Sequence, residues 1–363
     1  MFRFLIAVLV LLIAACGAPP NIVMVSRSVP GAGERVIFVA TNRAFEDQRY
    51  TSVRESGVEY ARFSVSIPPV RDVGEVTWPG GGRPDPETDF LVTEAGMYSG
   101  PQAFRSDIRA ALMALPREDR EVVLFVHGYN NNFASGLFRI AQMAHDYDAP
   151  GIIAHFAWPS AGTPLGYVFD RESAVFSRDA LEAFLRDLSA AGAERILLIG
   201  HSLGAYITME TLRQIRISGD DSVLEALSGV VLMAPDIDID VFQSQARAVE
   251  PLPQPFVVVT SRGDRALRLS AGITGRQDRL GNIGTPEDVA EFSILLVDIS
   301  AFRPGVGDWA NHSTLATSPT LIQLLSGLPT LGQREADIPL DLWSGTVLTV
   351  RNATQVLLTP VGP

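Results

Sequence analysis

Lysine is missing from this chain: all 29 basic residues among its 363 are arginine, set against 41 acidic ones for a formal net charge of −12. We read the absence of lysine as a codon bias, not as chemistry. With no basic stripe to replace phosphate counterions, the charge balance argues against a nucleic-acid partner. Cysteine is nearly absent too. Cys16 is the only one, which rules out a disulfide within the chain. Internal repeats are lacking, and low-complexity sequence is confined to an N-terminal tether and a Gly-Pro segment near Trp78. No apolar run beside the N-terminal one stands out, and that run falls short of the roughly 20 residues a spanning helix needs.

The N-terminal run is informative in itself. Arg3 precedes the apolar stretch Phe4 to Ala15, the layout of a secretory signal, and the run ends Leu12-Ile13-Ala14-Ala15-Cys16-Gly17. That ending resembles a bacterial lipobox, in which the cysteine is lipidated and becomes the mature N-terminus. A lone thiol in an exported protein thereby finds a use. Each buried methylene contributes about 0.8 kcal/mol, so several acyl chains on Cys16 would hold the protein at a membrane without a spanning helix. The expected location is a membrane-anchored one on the periplasmic face; in a Gram-negative cell Gly17, which is not the acidic residue that retains such proteins in the inner membrane, favours the outer membrane over the inner.

These signals divide the chain into a signal peptide (1–15), a Pro-, Gly- and Ser-rich flexible tether (16–34), a catalytic domain (35–328) and a C-terminal extension (329–363). The extension reads as a β-hairpin packed on a sheet edge, from its runs 346–350 and 355–359. Strands are expected over 35–41, 60–67 and 73–77, forming an antiparallel start to a sheet. A helix over 101–115 follows. From residue 122 onward short apolar strands (122–126, 152–156, 195–199, 229–234, 256–260, 292–297) alternate with helices, including a long one over 173–191. Strands apolar on both sides and separated by helices imply an α/β fold, a mostly parallel central sheet with helices on both faces, and a site beyond the carboxyl ends of the strands.

At one such end stands Gly200-His201-Ser202-Leu203-Gly204, between the strand 195–199 and the helical stretch 205–216. With 31 glycines in the chain the motif alone carries little. Its position between strand and helix makes it a nucleophile elbow, a strained turn that projects the hydroxyl of Ser202 above the sheet. Serine needs a base. His127, His145, His155 and His201 are poorly placed, at a strand end, in a helix, in a buried strand and within the elbow itself. His312 remains, in the loop after the last core strand. The carboxylate that orients such an imidazole must follow a strand between the serine and the histidine. Asp264 is favoured by strand order, with Asp236 as the competing choice. The aspartates Asp236, Asp238 and Asp240 fail as a calcium loop, since Val241 stands where glycine is needed and Arg247 where a bidentate glutamate is needed. Capping and loop structuring suit them better.

His127 to Asn130, Trp158-Pro159-Ser160, Gly200 to Gly204, Ala234-Pro235-Asp236 and Asp264 to Leu267 together resemble an esterase/lipase-like family of bacterial α/β-hydrolases known only as a domain of unknown function. The resemblance spans roughly residues 35 to 326. It implies Ser202, Asp264 and His312 as a triad, with the backbone amides of Leu203 and Tyr129 as an oxyanion hole. Asn130, Trp158 and Tyr167 are expected to line the substrate pocket, although both aromatics could equally be packing residues. The expected substrate is a small-molecule carboxylic ester, with no metal or organic cofactor. Acyl transfer or amide cleavage by the same triad stays open, as does a membrane-tethered binding module that keeps the fold without turnover. The glycine-punctuated stretch 272–284 is a candidate flap.

Overall fold

The computed structural model describes residues 20–80, 82–219, 221–275, 279–325 and 345–360. Strand β1 (Gly33–Glu46) turns at Asp47 and Gln48 into β2 (Arg49–Ile67), and β3 is Leu91–Met97. The regular alternation then runs α1 (Pro101–Ala114), β4 (Val122–Val126), α2 (Phe133–Asp146), β5 (Ile152–Phe156), α3 (Tyr167–Phe176), α4 (Arg178–Ala190) and β6 (Ile196–His201). It continues with α5 (Leu203–Ser218), α6 (Ser222–Glu225), β7 (Leu227–Met233), α7 (Ile239–Val249), β8 (Phe256–Thr260), α8 (Arg265–Thr274) and β9 (Ile294–Asp298). Two short helices, α9 (Thr314–Thr317) and α10 (Pro319–Leu325), precede the hairpin β10 (Gly345–Val350) and β11 (Ala353–Leu358).

These strands form one sheet in the order β10-β11-β9-β8-β7-β6-β4-β5-β1-β2-β3. From β11 to β1 every neighbouring pair is parallel, while β10, β2 and β3 are antiparallel additions at the two edges. The period of two along each strand explains how it is covered on both sides. In β4, Val122, Leu124 and Val126 join a core with Phe104 of α1, Phe184 of α4 and Leu212 of α5. Val123 and Phe125 face the other way, toward Phe133, Leu137 and Phe138 of α2. None of the described helices is long and apolar enough to cross a membrane.

Three expectations are corrected. Residues 73–77 form no strand, because the chain turns at Gly74 (φ 86°), whose amide donates to Asp146 at 2.7 Å. The third antiparallel strand is β3 instead. The long helix over 173–191 is two helices that begin earlier, separated at Ser177, whose buried hydroxyl accepts from Asn42 Nδ2 at 3.1 Å. That break is tertiary, and no glycine or proline announces it. The described part of the tether is bound to the body: Val25 and Val92 amides donate to Val92 and Val23 carbonyls at 2.9 and 3.0 Å. Residues 1–19, with Cys16 and the apolar run, lie outside the described residues, as do 276–278 of the candidate flap.

Leu198 occupies the middle of β6 and is fully buried. Leu198→Ala is expected to destabilise the fold by about 2–5 kcal/mol, read as a lowered midpoint in urea unfolding with an unchanged slope.

Candidate active site

The chain passes from β6 to α5 through a single residue, Ser202, at φ 55° and ψ −121°. A positive φ on a side-chain-bearing residue costs about 1–3 kcal/mol and persists only where the surroundings hold it. Here they do: the Ser202 amide donates to Met233 O at 3.0 Å, and its carbonyl accepts from Ala205 and Asp236 amides at 3.1 and 3.3 Å. Two glycines let neighbouring backbone close in. A Cβ on Gly204 would lie 2.3 Å from Val126 O, and one on Gly128 would lie 2.8 Å from Ser202 Cβ. The N-terminus of α5 is thus pressed against the end of β4, and the loop after β4 against the serine.

His312 reaches the same place from the loop after β9. Its Nδ1 lies 2.7 Å from Asp264 Oδ2; a carboxylate can only accept, so Nδ1 carries the proton and Nε2 is the free basic nitrogen. Asp264, fully buried at the end of β8, also accepts the Leu267 amide through Oδ1 at 2.9 Å and so caps α8. Burial pulls the His312 imidazole down, but the charge and hydrogen bond of Asp264, with Asp236 and Asp308 adding to them, leave it above the ordinary histidine value. The Ser202 hydroxyl is bonded to no described residue. Nevertheless the two loops are in contact, because the ring of His201 lies 4.8 Å from that of His312 and its Nε2 donates to His312 O at 3.1 Å. In hydrolases without substrate the serine–histidine bond is commonly long and tightens on binding.

The loop after β4 supplies the other wall. Neither the Tyr129 nor the Leu203 amide is engaged with a described residue, so both are available to an oxyanion. Asn130, at φ 59°, turns the chain, and its amide is spent on Asp170 Oδ2 at 3.1 Å. Asn131 Nδ2 bonds Gly128 and Tyr129 carbonyls at 3.2 and 2.9 Å, tying the loop into a compact turn. Beneath it the buried Arg43 donates to the carbonyls of Asn131, Ser160 and Thr51 at 2.9, 3.1 and 3.1 Å. Burial lowers Arg43 to about 9, opposed by the charge of Asp170.

Of the two readings open for Trp158 and Tyr167, pocket lining and packing, both side chains take the packing one. Trp158 is fully buried, stacked on His127 at 4.9 Å with its Nε1 donating to His127 O at 2.7 Å, so it braces the loop from within the core and does not line a pocket. Tyr167 meets Tyr129 edge-on at 5.4 Å, but its hydroxyl is committed to Asp236 Oδ2 at 2.8 Å. Asp236 also accepts from Ser270 at 2.8 Å and pairs with the buried Arg279 at 3.3 Å. This leaves Asp264 alone with His312. Asp238, as expected, caps α7 through the Asp240 amide at 3.1 Å. No group of side chains suited to a metal ion occurs among the described residues.

Three positioning residues escaped the sequence. Asp308 accepts the amides of His312 and Ser313 at 2.9 and 3.0 Å, fixing the histidine loop. Its place four residues before His312 was the available signal. His201 lies within the elbow itself and is poorly placed as the base of Ser202, but its ring holds the His312 carbonyl. Arg43 gave no signal, lying in a strand far away in sequence. A recess of about 740 Å³ lies at the opposite ends of the strands, around Arg109, Arg117 and Arg195. A narrow cleft of about 10 Å³ between Met233, Thr260 and His312 adjoins the site. The strained serine and the imidazole–carboxylate pair lie at the latter end.

A serine at a strand-to-helix elbow, on a doubly covered parallel sheet, defines an α/β hydrolase. Residues 101–328 match the model of a family described as an alpha/beta hydrolase of unknown function (DUF900), and the chain belongs to that family. β1, β2 and β3 precede the matched region. No curated protein matches the chain.

Gly204→Val would drive a side chain into the Val126 and His127 carbonyls. The elbow is expected to distort, with a fall in melting temperature on thermal unfolding and loss of any labelling of Ser202.

Proposed function

We propose that the protein is a serine hydrolase that cleaves a carboxylic ester through an acyl-enzyme on Ser202. The observation that carries this is the 2.7 Å bond between His312 Nδ1 and the buried Asp264, on a loop that touches the elbow of Ser202. In the proposed cycle His312 Nε2 takes the Ser202 proton as Oγ attacks the ester carbonyl. The Leu203 and Tyr129 amides receive the oxyanion, a contribution typically of about 3 kcal/mol for each donor lost. Collapse expels the alcohol with the proton returned by His312. Water, deprotonated by the same nitrogen, then releases the acid. Asp264, bonded to Nδ1, holds the tautomer. The proposal includes export and lipidation at Cys16, for which the lipobox-like sequence is the support.

The test is labelling by a fluorophosphonate probe together with hydrolysis of short p-nitrophenyl esters. Both should occur and both should vanish in Ser202→Ala. A folded protein that does neither would be a binding module on this scaffold.

The base must be neutral to act, so kcat/KM should fall as pH drops through the His312 pKa. Because that pKa is raised, the midpoint of the acid limb is expected above the ordinary histidine value of about 6.5. Asp264→Asn removes the cause. Its acid limb should move downward and its rate should fall by about 10⁴-fold, measured in a pH–rate profile.

A further inference from the structure

We propose that the Ser202 end of the sheet docks face-down on a lipid bilayer, with Leu165, Val168, Leu269, Ile273 and Trp309 in the membrane interface. This rests on the reading of Cys16 as a lipid anchor, and it stands whether or not Ser202 turns over an ester.

Topology brings these side chains to one end. β4 through β9 are parallel, so every loop that leaves their carboxyl ends opens on the same edge. Leu165 and Val168 follow β5, Leu269 and Ile273 follow β8, and Trp309 follows β9. Bonds between the loops confirm their nearness: the Tyr129 hydroxyl donates to Pro164 O, Tyr167 and Ser270 share the Asp236 carboxylate, and Arg265 N donates to Ala310 O at 2.8 Å. Helix α8 does not leave this edge, since Leu280 and Gly281, just beyond it, donate to Ile237 and Pro235 carbonyls at 2.8 and 3.0 Å. All five are large apolar side chains in water. Leu165 is 97% exposed and Trp309 76%.

Leu269 and Ile273 stand one turn apart on α8, beside the exposed Arg265 and Arg268. An apolar face bordered by arginine suits acyl chains under anionic headgroups. The N-terminal segment selects that occupant. Asn132, in the loop after β4, donates from Nδ2 to Pro20 O at 2.8 Å, so the first described residue is fastened at this same edge. Only three residues separate Pro20 from Cys16, four Cα–Cα steps with a reach of at most about 14 Å. A lipidated Cys16 would keep this edge, and not the far one, within that distance of the bilayer.

The full chain on phosphatidylethanolamine–phosphatidylglycerol vesicles, with and without doxyl groups on the acyl chains, gives the readout. The part of the tryptophan emission that W309F removes should be quenched at least twofold by the doxyl lipids. A double variant L269E/I273E, still held through Cys16, should lose that quenching while continuing to sediment with the vesicles. Three results would overturn the proposal: vesicle-bound protein whose Trp309 emission ignores the doxyl lipid, quenching that survives in the double variant, or a full chain that does not associate with vesicles. Each is read without measuring hydrolysis, so a failure here is distinct from a failure of the ester reading.

Discussion

One buried carboxylate joins the two halves of the site. Asp264 spends one oxygen on the first turn of α8 and the other on His312 Nδ1. A carboxylate with no exposure would be expensive if left unpaired, and these two bonds, with the positive end of the helix dipole, offset that cost. The same two bonds fix where the imidazole stands. Asn311 Nδ2 reaching Gly263 O at 3.4 Å, and the Arg265 amide reaching Ala310 O at 2.8 Å, then fasten the histidine loop alongside the aspartate loop. What looks like an active-site contact is therefore also a tertiary clasp between the ends of β8 and β9.

Strain gathers around this clasp. Asn130, Ser202, Ala234 and Asn311 all carry positive φ values, and each lies just beyond a strand end or in the loop of His312. Four such residues together cost several times the roughly 1–3 kcal/mol of one. The surrounding network opposes that cost with amide and carboxylate bonds: Asp170 to the Asn130 amide, Met233 O to that of Ser202, Val259 O to that of Ala234, Asp308 O to that of Asn311. The backbone around the elbow is thus held in place by bonds from several separate segments.

The sequence revealed those parts that short-range pattern can carry. Short apolar runs located β4 through β9, because a strand buried on both faces is apolar along its whole length. The elbow was legible from five consecutive residues, and chain order singled out His312 and favoured Asp264. What it concealed was tertiary. The interruption at Ser177 is tied to Asn42, 135 positions away. Trp158 was open to a pocket role in sequence, since indole suits either setting; its buried hydrogen bond to His127 O decides it. Asp236 competed with Asp264 because both follow strands; the commitment of its oxygens to Tyr167, Ser270 and Arg279, and the bond of Asp264 to His312, separate them.

The arginine-only composition takes on a second meaning in the interior. On the surface a codon bias suffices, since an exposed cation of either kind does the same work. Arg43 is different. Its guanidinium is buried and forks to three carbonyls on separate segments, β2, the Trp158-Pro159-Ser160 loop and the loop after β4. A planar group with five donors meets that arrangement with one side chain; an ammonium at the same depth is a point charge that shifts its pKa and lets go of its proton. Arg279 likewise lies buried between Asp236 and the α8 backbone. The missing lysine is thus neutral over most of the chain and chemically suited to the two places where a cation is sealed beneath the site.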